Sequence, residues 1–348
     1  MSDSNAPFKT VIIFPSDRNG CGFHRTFIPF NYLVSKYQYD CPAMFSFLFD
    51  LNYLNRASYL RFQRQVTKSQ LQIIKEYKSV IQKNNSHCKI VYELDDLVHG
   101  IEPNNTLAYQ FYTKTRKNNL IEIMKTCDTI TFSTQFLKDF YNEQFGVNNS
   151  VVIPNFLAKF MWGDKGKRDK YGKGKDGKLR ILWAGSSSHV AKGGDLEFLI
   201  PLIKKTANEF EWVFFGCKPP GVSDLVEFTN WADFYEYPTA LDAIDADIAI
   251  CPIADNTFNL AKSDLKVLEY SAIGLPCISS SIGNGMGPYD LIPNIKTVEN
   301  TVEAWYTAIK EMEDPSIRMQ YLEAGQVELN KRWLEDPKNT QLYLNVYK

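Results

Sequence analysis

The sequence predicts an α/β protein built from two halves, and three observations predict it. Short β-branched runs alternate with helix-patterned stretches along most of the chain, the pattern of parallel sheets covered on both faces. A turn rich in glycine or serine follows the first strand of each half. A basic, glycine-rich segment lies between the halves. With 348 residues, 44% of them hydrophobic and 14% aromatic, the chain is long enough for two domains, each with a full core.

In chain order, residues 10–14 (Thr-Val-Ile-Ile-Phe) read as a buried first strand. The turn Gly20-Cys-Gly-Phe-His-Arg25 follows, then a helix through about Lys36. Further strands are expected at 43–49, 60–63, 89–93, 129–133 and 150–153, with helices at 68–83, 107–127 and 134–145. The composition then shifts: residues 162–178 are glycine-rich, polar and basic, as a linker or long loop would be. The pattern restarts with a strand at 179–184, the turn Gly185-Ser-Ser-Ser-His189 and a helix at 192–206. Strands at 211–215, 248–251 and 277–280 follow, and the tail from 302 to 347 is helical, broken at Pro315 and Pro337. Two such halves predict a cleft between them.

A formal charge of −1 excludes a global field that draws the chain to nucleic acid or membrane; any such attraction is local. Seven cysteines, at 21, 41, 88, 127, 217, 251 and 277, show neither CxxC nor metal-ligand spacing, so reduced thiols and a cytoplasmic location are expected. No apolar run approaches the roughly 20 residues that span a bilayer, and no signal-like segment opens the chain, so no membrane partner is expected. Asn-x-Ser/Thr triplets at Asn84, Asn104 and Asn148 carry no weight in that compartment. Four histidines without HExxH or similar spacing argue against a zinc site, and no metal is expected.

The most informative stretch is Lys262-Ser-Asp-Leu-Lys-Val-Leu-Glu269. As a helix it places Lys262, Lys266 and Glu269 on one face. A helix start favours a phosphate through its unpaired N–H groups and its dipole, and a carboxylate a turn later can accept from two vicinal sugar hydroxyls. Phosphate plus diol outlines a nucleotide; the alternative is a surface helix with solvated lysines. In the turn at 185–189, small residues let the backbone approach a phosphate, with Ser186, His189 and Lys192 adding donors and charge; the alternative is a serine N-cap. Neither GxGxxG nor GxxxxGK[ST] is present, which excludes the standard dinucleotide fingerprint and the P-loop. In the first half, His24 and Arg25 either orient an acceptor and steady a leaving phosphate or, for Arg25, cap the helix. Asp95 and Asp96 end a strand at the ligand-binding edge, where one carboxylate can hold a hydroxyl and the other can cap the next segment. Between Lys165 and Lys178, seven Lys/Arg stand against two Asp. Lys165, Lys167, Arg168, Lys170, Lys173 and Lys175 can track a phosphate backbone, or the run is a solvated linker.

The segments Val151-Val-Ile-Pro-Asn155, 185–189 and 262–278 resemble the retaining glycosyltransferases of GT-B fold, of the group 1 or family-four type. That resemblance implies two Rossmann-like domains with a donor site in the cleft between them. It implies an acceptor-side domain over 1–160, a linker at 161–178, a nucleotide-sugar domain over 179–335, and a last helix at 336–348 that returns to the first domain. Glu269 matches the glutamate that holds the ribose hydroxyls. Lys262, Ser263 and Leu265 match the loop and helix start around diphosphate and sugar, and Gly22 matches the first-domain glycine near the donor phosphates. Two departures stand out. Ala261 occupies the place of an earlier sugar-binding glutamate, leaving Asp255, Asn256 or Asn259 as substitutes. An Arg…Lys diphosphate pair is not evident, with Lys192 and Lys266 the nearest stand-ins.

The chain is also similar to glycosyltransferases of T4-like bacteriophages, some of which glycosylate 5-hydroxymethylcytosine in DNA. This resemblance implies transfer of glucose or arabinose from a UDP-sugar to that hydroxyl in double-stranded DNA, without a cofactor, inside the infected cell. The basic run would clamp the duplex, and His24, Arg25 and Asp95 would position the reactants. Two rivals are a transferase with a polysaccharide or lipid-linked acceptor and a non-catalytic nucleotide- or DNA-binding module. Oligomeric state is left open.

Overall fold

The computed structural model describes residues 10–37, 48–84, 86–166, 177–190 and 193–347. They form two compact units, one of residues 1–99, 110–156 and 334–348, the other of 100–109 and 157–333.

The first unit carries a parallel sheet of β1 (Val11–Phe14), β2 (Tyr59–Gln63), β3 (Lys89–Leu94), β4 (Thr129–Phe132) and β5 (Ser150–Val152), in that spatial order. β1 and β2 are buried along their whole length; β1 reads as a continuous apolar run for that reason, while β2 also buries Arg61 and Gln63. The first helical stretch runs from Gly20 to Tyr37 with a π-helical turn at Phe23–Phe27. Helix Lys68–Lys83 starts on a full capping box between Thr67 and Gln70 and buries Leu71, Ile74, Tyr77 and Ile81. The helix expected at 107–127 is two, Thr106–Phe111 and Lys114–Thr126, because the Thr113 hydroxyl caps a new start by accepting from the Arg116 N–H at 3.3 Å. Of the strand expected at 43–49, residues 43–47 lie outside the described residues, and Leu48 and Phe49 are not in a strand. Helix Pro337–Tyr347 belongs to this unit; Tyr347 packs edge-on against Phe30 and Tyr59, each at 5.3 Å.

The second unit carries a parallel sheet of β6 (Arg180–Ala184), β7 (Glu211–Gly216), β8 (Glu227–Asn230), β9 (Ile248–Cys251), β10 (Cys277–Ser280) and β11 (Lys296–Val298), ordered 11-10-9-6-7-8. The chain begins at β6 in the middle, builds outward through β7 and β8, and returns to the other side of β6 with β9. Alternate residues feed two cores: Leu182, Ala184, Val213 and Phe215 pack with Val267, Leu268 and Tyr270, while Ile181, Trp183, Trp212 and Phe214 pack with Leu199, Leu202 and Trp305. The edge strands β8 and β11 are not expected from sequence, since all four residues of β8 are exposed and carry no apolar pattern. The helix expected from 192 is regular only over Leu199–Thr206. Helices Pro315–Asn330 and Pro337–Tyr347 both begin on the prolines that break the tail, where proline's missing N–H costs nothing.

Candidate nucleotide-binding site

The order of the second sheet reverses between β6 and β9. In open parallel sheets the loops leaving the strand ends at such a reversal part to leave a crevice, the usual place for a ligand. Here those loops are Gly185–His189 after β6 and Pro252–Lys262 after β9.

The first loop is held close to its neighbours. A Cβ on Gly185 would lie 2.5 Å from the Trp183 ring, and Gly185 N–H donates to Phe215 O at 3.0 Å. At the end of β7, Gly216 has φ +91°, and a Cβ there would meet Trp231 at 2.4 Å and Gly185 O at 2.7 Å. Only glycine fits either place. Ser186 precedes the short turn Ser187–His189, whose last N–H donates to Ser186 O at 3.2 Å; its side chain makes no capping bond.

His189 is oriented by a carboxylate that sequence reasoning overlooked. Its Nδ1 lies 2.6 Å from Asp195 Oδ2. Asp195 Oδ1 accepts from Ala254 N–H at 2.7 Å and from Asn259 Nδ2 at 2.8 Å. One nearly buried carboxylate therefore joins the loops after β6 and β9. Burial works to raise the Asp195 carboxyl, but the His189 bond and charge and the other two donors outweigh it and hold it below the usual range.

Glu269 sits in helix Leu265–Ala272, 2% exposed. Its Oε2 accepts from Tyr237 Oη at 3.1 Å and from Lys266 Nζ at 3.3 Å, and Lys266 Nζ also reaches Tyr237 Oη at 3.2 Å. Burial, reinforced by the Glu269 charge, pushes the Tyr237 phenol well above its ordinary value, so it stays a donor. Tyr237 stacks on Trp231, with centroids 5.0 Å apart and planes 20° apart. The same helix touches the end of β6, where Tyr270 Oη accepts from Ala184 N–H at 2.9 Å. Tyr237 and Trp231 belong to no recognised motif; a Trp and a Tyr six residues apart in a polar stretch were their only signal.

The helix begins at Leu265, not at Lys262. Asp264 does not cap it: both its oxygens take hydrogen bonds from Arg332, at 2.8 and 2.9 Å. Lys262 and Ser263 therefore lie in the loop, with Lys262 Nζ 4.4 Å from the centre of the Phe258 ring, and Lys262 does not share a helical face with Lys266 and Glu269. Of the three substitutes for the absent glutamate, Asn259 is buried and committed to Asp195 and to Ala254 O. Asn256 caps Thr257–Leu260, and Asp255 accepts from Gly283 N–H at 3.1 Å. Lys192 lies outside the described residues.

In the first unit, Gly22 is required by close approach, since a Cβ would lie 2.1 Å from Asp17 O. The Asp17 carboxylate takes the N–H groups of Asn19 and Gly22, at 2.8 and 3.1 Å. His24 is half-buried in the π turn. Arg25 is 2% exposed; its Nε donates to Glu93 at 2.6 Å, and its Nη1 to Ile153 O at 2.7 Å and Asn155 Oδ1 at 3.0 Å. Arg61 binds the other oxygen of Glu93 at 3.1 Å and donates to Tyr347 Oη at 2.9 Å. This placement corrects the expectation for Arg25, which is an interior brace and not a group facing an acceptor. It also gives the Ile153-Pro-Asn155 segment a structural task. Asp95 and Asp96 both pair with Arg64, and burial, then the Asp96 and Glu93 charges, push the Asp95 carboxyl up against the opposing pull of Arg64.

The basic run meets the structure only at its ends. Lys165 is a correction: its side chain is 14% exposed and pairs with Asp164 at 2.9 Å, and the next residue, Gly166, donates its N–H to Asp242 at 3.1 Å. The run's start is pinned to the second unit and does not stand in solvent. Lys167, Arg168, Lys170, Lys173 and Lys175 lie outside the described residues. Among the described residues, no three His, Cys, Asp or Glu are grouped to hold a metal, and no helix is long and apolar enough to cross a membrane.

No protein-family model and no curated protein matches the sequence. Solved structures are similar. HepE from Anabaena in complex with UDP and glucose aligns at TM-score 0.65 and 11% identity, over 97% of this chain and 99% of that one. A glycosyltransferase from Rickettsia africae aligns at 0.61 and 15%, over 99% and 98%. Sucrose-phosphate synthase from Thermosynechococcus elongatus aligns at 0.59 and 13%, over 91% and 75%. At these identities the likeness speaks for architecture: the chain has the GT-B glycosyltransferase fold, with two parallel α/β sheets.

Proposed function

We propose that this chain is a glycosyltransferase that moves a sugar from a UDP-sugar to a hydroxyl, and that the second unit holds the donor. One observation carries the reading: at the reversal between β6 and β9, a glycine-serine turn with an oriented His189 is tied to the loop that leads into Lys262, Ser263 and the Glu269 helix. Gly185, Ser186, His189, Lys192, Lys262, Ser263 and the helix start at Leu265 would receive the diphosphate, and Glu269 the ribose hydroxyls. A carboxylate has about four acceptor sites on two oxygens, so one held by Tyr237 and Lys266 is presented in a fixed pose to a diol. Likeness in fold to a protein solved with UDP and glucose supports the same donor class.

The chemistry we propose is transfer with retention. The acceptor hydroxyl attacks the anomeric carbon on the face the diphosphate leaves, the carbon–oxygen bond to phosphate breaks, and the departing oxygen takes the hydroxyl proton. Backbone N–H groups and lysines placed for the developing phosphate charge would lower that barrier. His24, Asp95 and Gly22 would serve the acceptor side. The acceptor reading, 5-hydroxymethylcytosine in duplex DNA with glucose or arabinose as the sugar, rests on sequence, namely the basic run at 165–178 and the phage resemblance. Phosphate-backbone contact would come from Lys167, Arg168, Lys170, Lys173 and Lys175.

Labelled UDP-glucose and UDP-arabinose, offered with hydroxymethylated DNA, unmodified DNA and saccharides, test both parts. Transfer to hydroxymethylated DNA alone is expected. Transfer to a saccharide alone would overturn the acceptor and keep the donor. Duplex binding with no donor consumed would overturn the enzyme.

A further inference from the structure

We infer that Asp195 is a positioning residue of the donor site: it fixes the tautomer and orientation of His189 and locks the loop after β6 to the loop after β9. The inference rests on the donor reading given above and adds a residue and a task to it.

Asp195 spends its two oxygens in two directions. Oδ2 faces His189 Nδ1 at 2.6 Å, while Oδ1 collects Ala254 N–H at 2.7 Å and Asn259 Nδ2 at 2.8 Å. An ionised carboxylate only accepts, so Nδ1 must carry the hydrogen, and the second nitrogen, Nε2, is left for a ligand. Nε2 has no hydrogen-bond partner among the described residues, and the side chain is 29% exposed. The Trp183 ring meets it edge-on at 5.8 Å, and Leu196 N–H donates to His189 O at 3.3 Å. Ring and backbone are therefore both held while one polar edge stays open. As an imidazolium, that edge donates to an anionic oxygen with the Asp195 charge behind it, as carboxylate–histidine pairs do elsewhere. Asn259 is the third member. Its amide spans Asp195 and Ala254 O, both at 2.8 Å, so a disturbance at Asp195 is felt in the segment that leads to Lys262.

Asp195→Asn separates the two tasks. An amide oxygen still accepts from Ala254 and Asn259, so the loops stay tied, while the amide nitrogen donates to Nδ1 and reverses the tautomer. Nε2–H can still donate in that tautomer, but the carboxylate that stands behind the imidazolium is gone, so the variant reads the charge that Asp195 places behind His189. Nitrogen NMR of labelled histidine on the wild-type chain reads the tautomer without any variant, and Nδ1–H is expected. Calorimetric titration with UDP then compares wild type, Asp195→Asn, His189→Gln and the double variant. A loss of about 10- to 100-fold in affinity is expected for Asp195→Asn, with a similar loss for His189→Gln and no further loss in the double variant, the mark of one shared pathway. An Nε2–H tautomer in the wild type, an unchanged UDP affinity in Asp195→Asn, or losses that add in full would each overturn the inference while the donor reading stands. No UDP binding by the wild type would overturn the donor reading and this inference with it.

Discussion

At the residue scale, side chains of one type do unlike work according to what lies within a few ångströms. Three of the four histidines show it. His189 is held by a carboxylate with one edge open, His24 lies in a π turn, and His99 is packed inside the first unit with Nδ1 3.1 Å from Tyr141 Oη. Burial, with a smaller push from Lys117, lowers His99 from 6.5 to about 4. Below its ordinary value the unfolded chain takes up a proton that the folded chain refuses until about 4, so stability falls as pH falls through that window. Thermal unfolding of the wild type followed from neutral pH down to pH 4 is expected to show this decline, and His99→Asn, which cannot titrate, should flatten part of it. Equal slopes for the two proteins would refute the assignment. The tie Asp195 makes between loops and the brace at Arg25 were illegible in sequence for one reason: those partners stand far away along the chain, although His189 is only six residues from Asp195. Asp195 meets Ala254 and Asn259 across 59 and 64 residues, and Arg25 meets Glu93 across 68. The Lys266–Glu269 pairing was legible because it is local, three residues apart on one helix face, whereas Tyr237, 32 residues away, was not.

At the element scale, sequence reasoning succeeded where burial was two-sided and failed where it was absent. β1, β6 and β9 are buried along their whole length and read as mainly apolar runs, whereas exposed β8 carries no pattern at all. Helix starts followed capping chemistry that a periodicity cannot see: Thr113 opens a helix in the middle of an expected one, and Asp264 gives its oxygens to Arg332, so the next helix waits until Leu265. Glu93 on β3 shows how a charge can join elements. It binds Arg25 from the π turn and Arg61 from β2, and although burial works against it, those two cations hold its carboxyl below the ordinary range. Glu93→Ala leaves two buried guanidinium groups without their shared partner and should destabilise the first unit by about 3–5 kcal/mol. Chemical denaturation measures this, and a loss below about 1 kcal/mol would contradict the brace.

At the scale of the whole molecule, the two units have separate sheets, and the donor reading places its ligand on one of them. A nucleotide that binds only the folded second unit stabilises it by mass action, about 2.7 kcal/mol at a hundredfold excess over Kd. Hydrogen exchange with and without UDP should show slowed exchange at 185–189, 254–259 and 265–272, with the β1–β5 sheet unchanged; protection confined to that first sheet would contradict the placement. The two-sheet architecture was legible in the alternation of strands and helices. The reversal of strand order at β6 and β9 was not, because strand order depends on long-range pairing.

The central claim is that helix Leu265–Ala272 and the loops before it hold a uridine diphosphate. Titration of the wild-type chain and of Glu269→Ala with UDP tests it most directly, with folding of the variant checked by its melting temperature. One UDP per chain is expected for the wild type, with affinity lowered by about 1.5–3 kcal/mol in the variant, roughly 10- to 150-fold. Equal affinity in a folded Glu269→Ala chain, or no UDP bound by the wild type at millimolar concentration, would contradict the account.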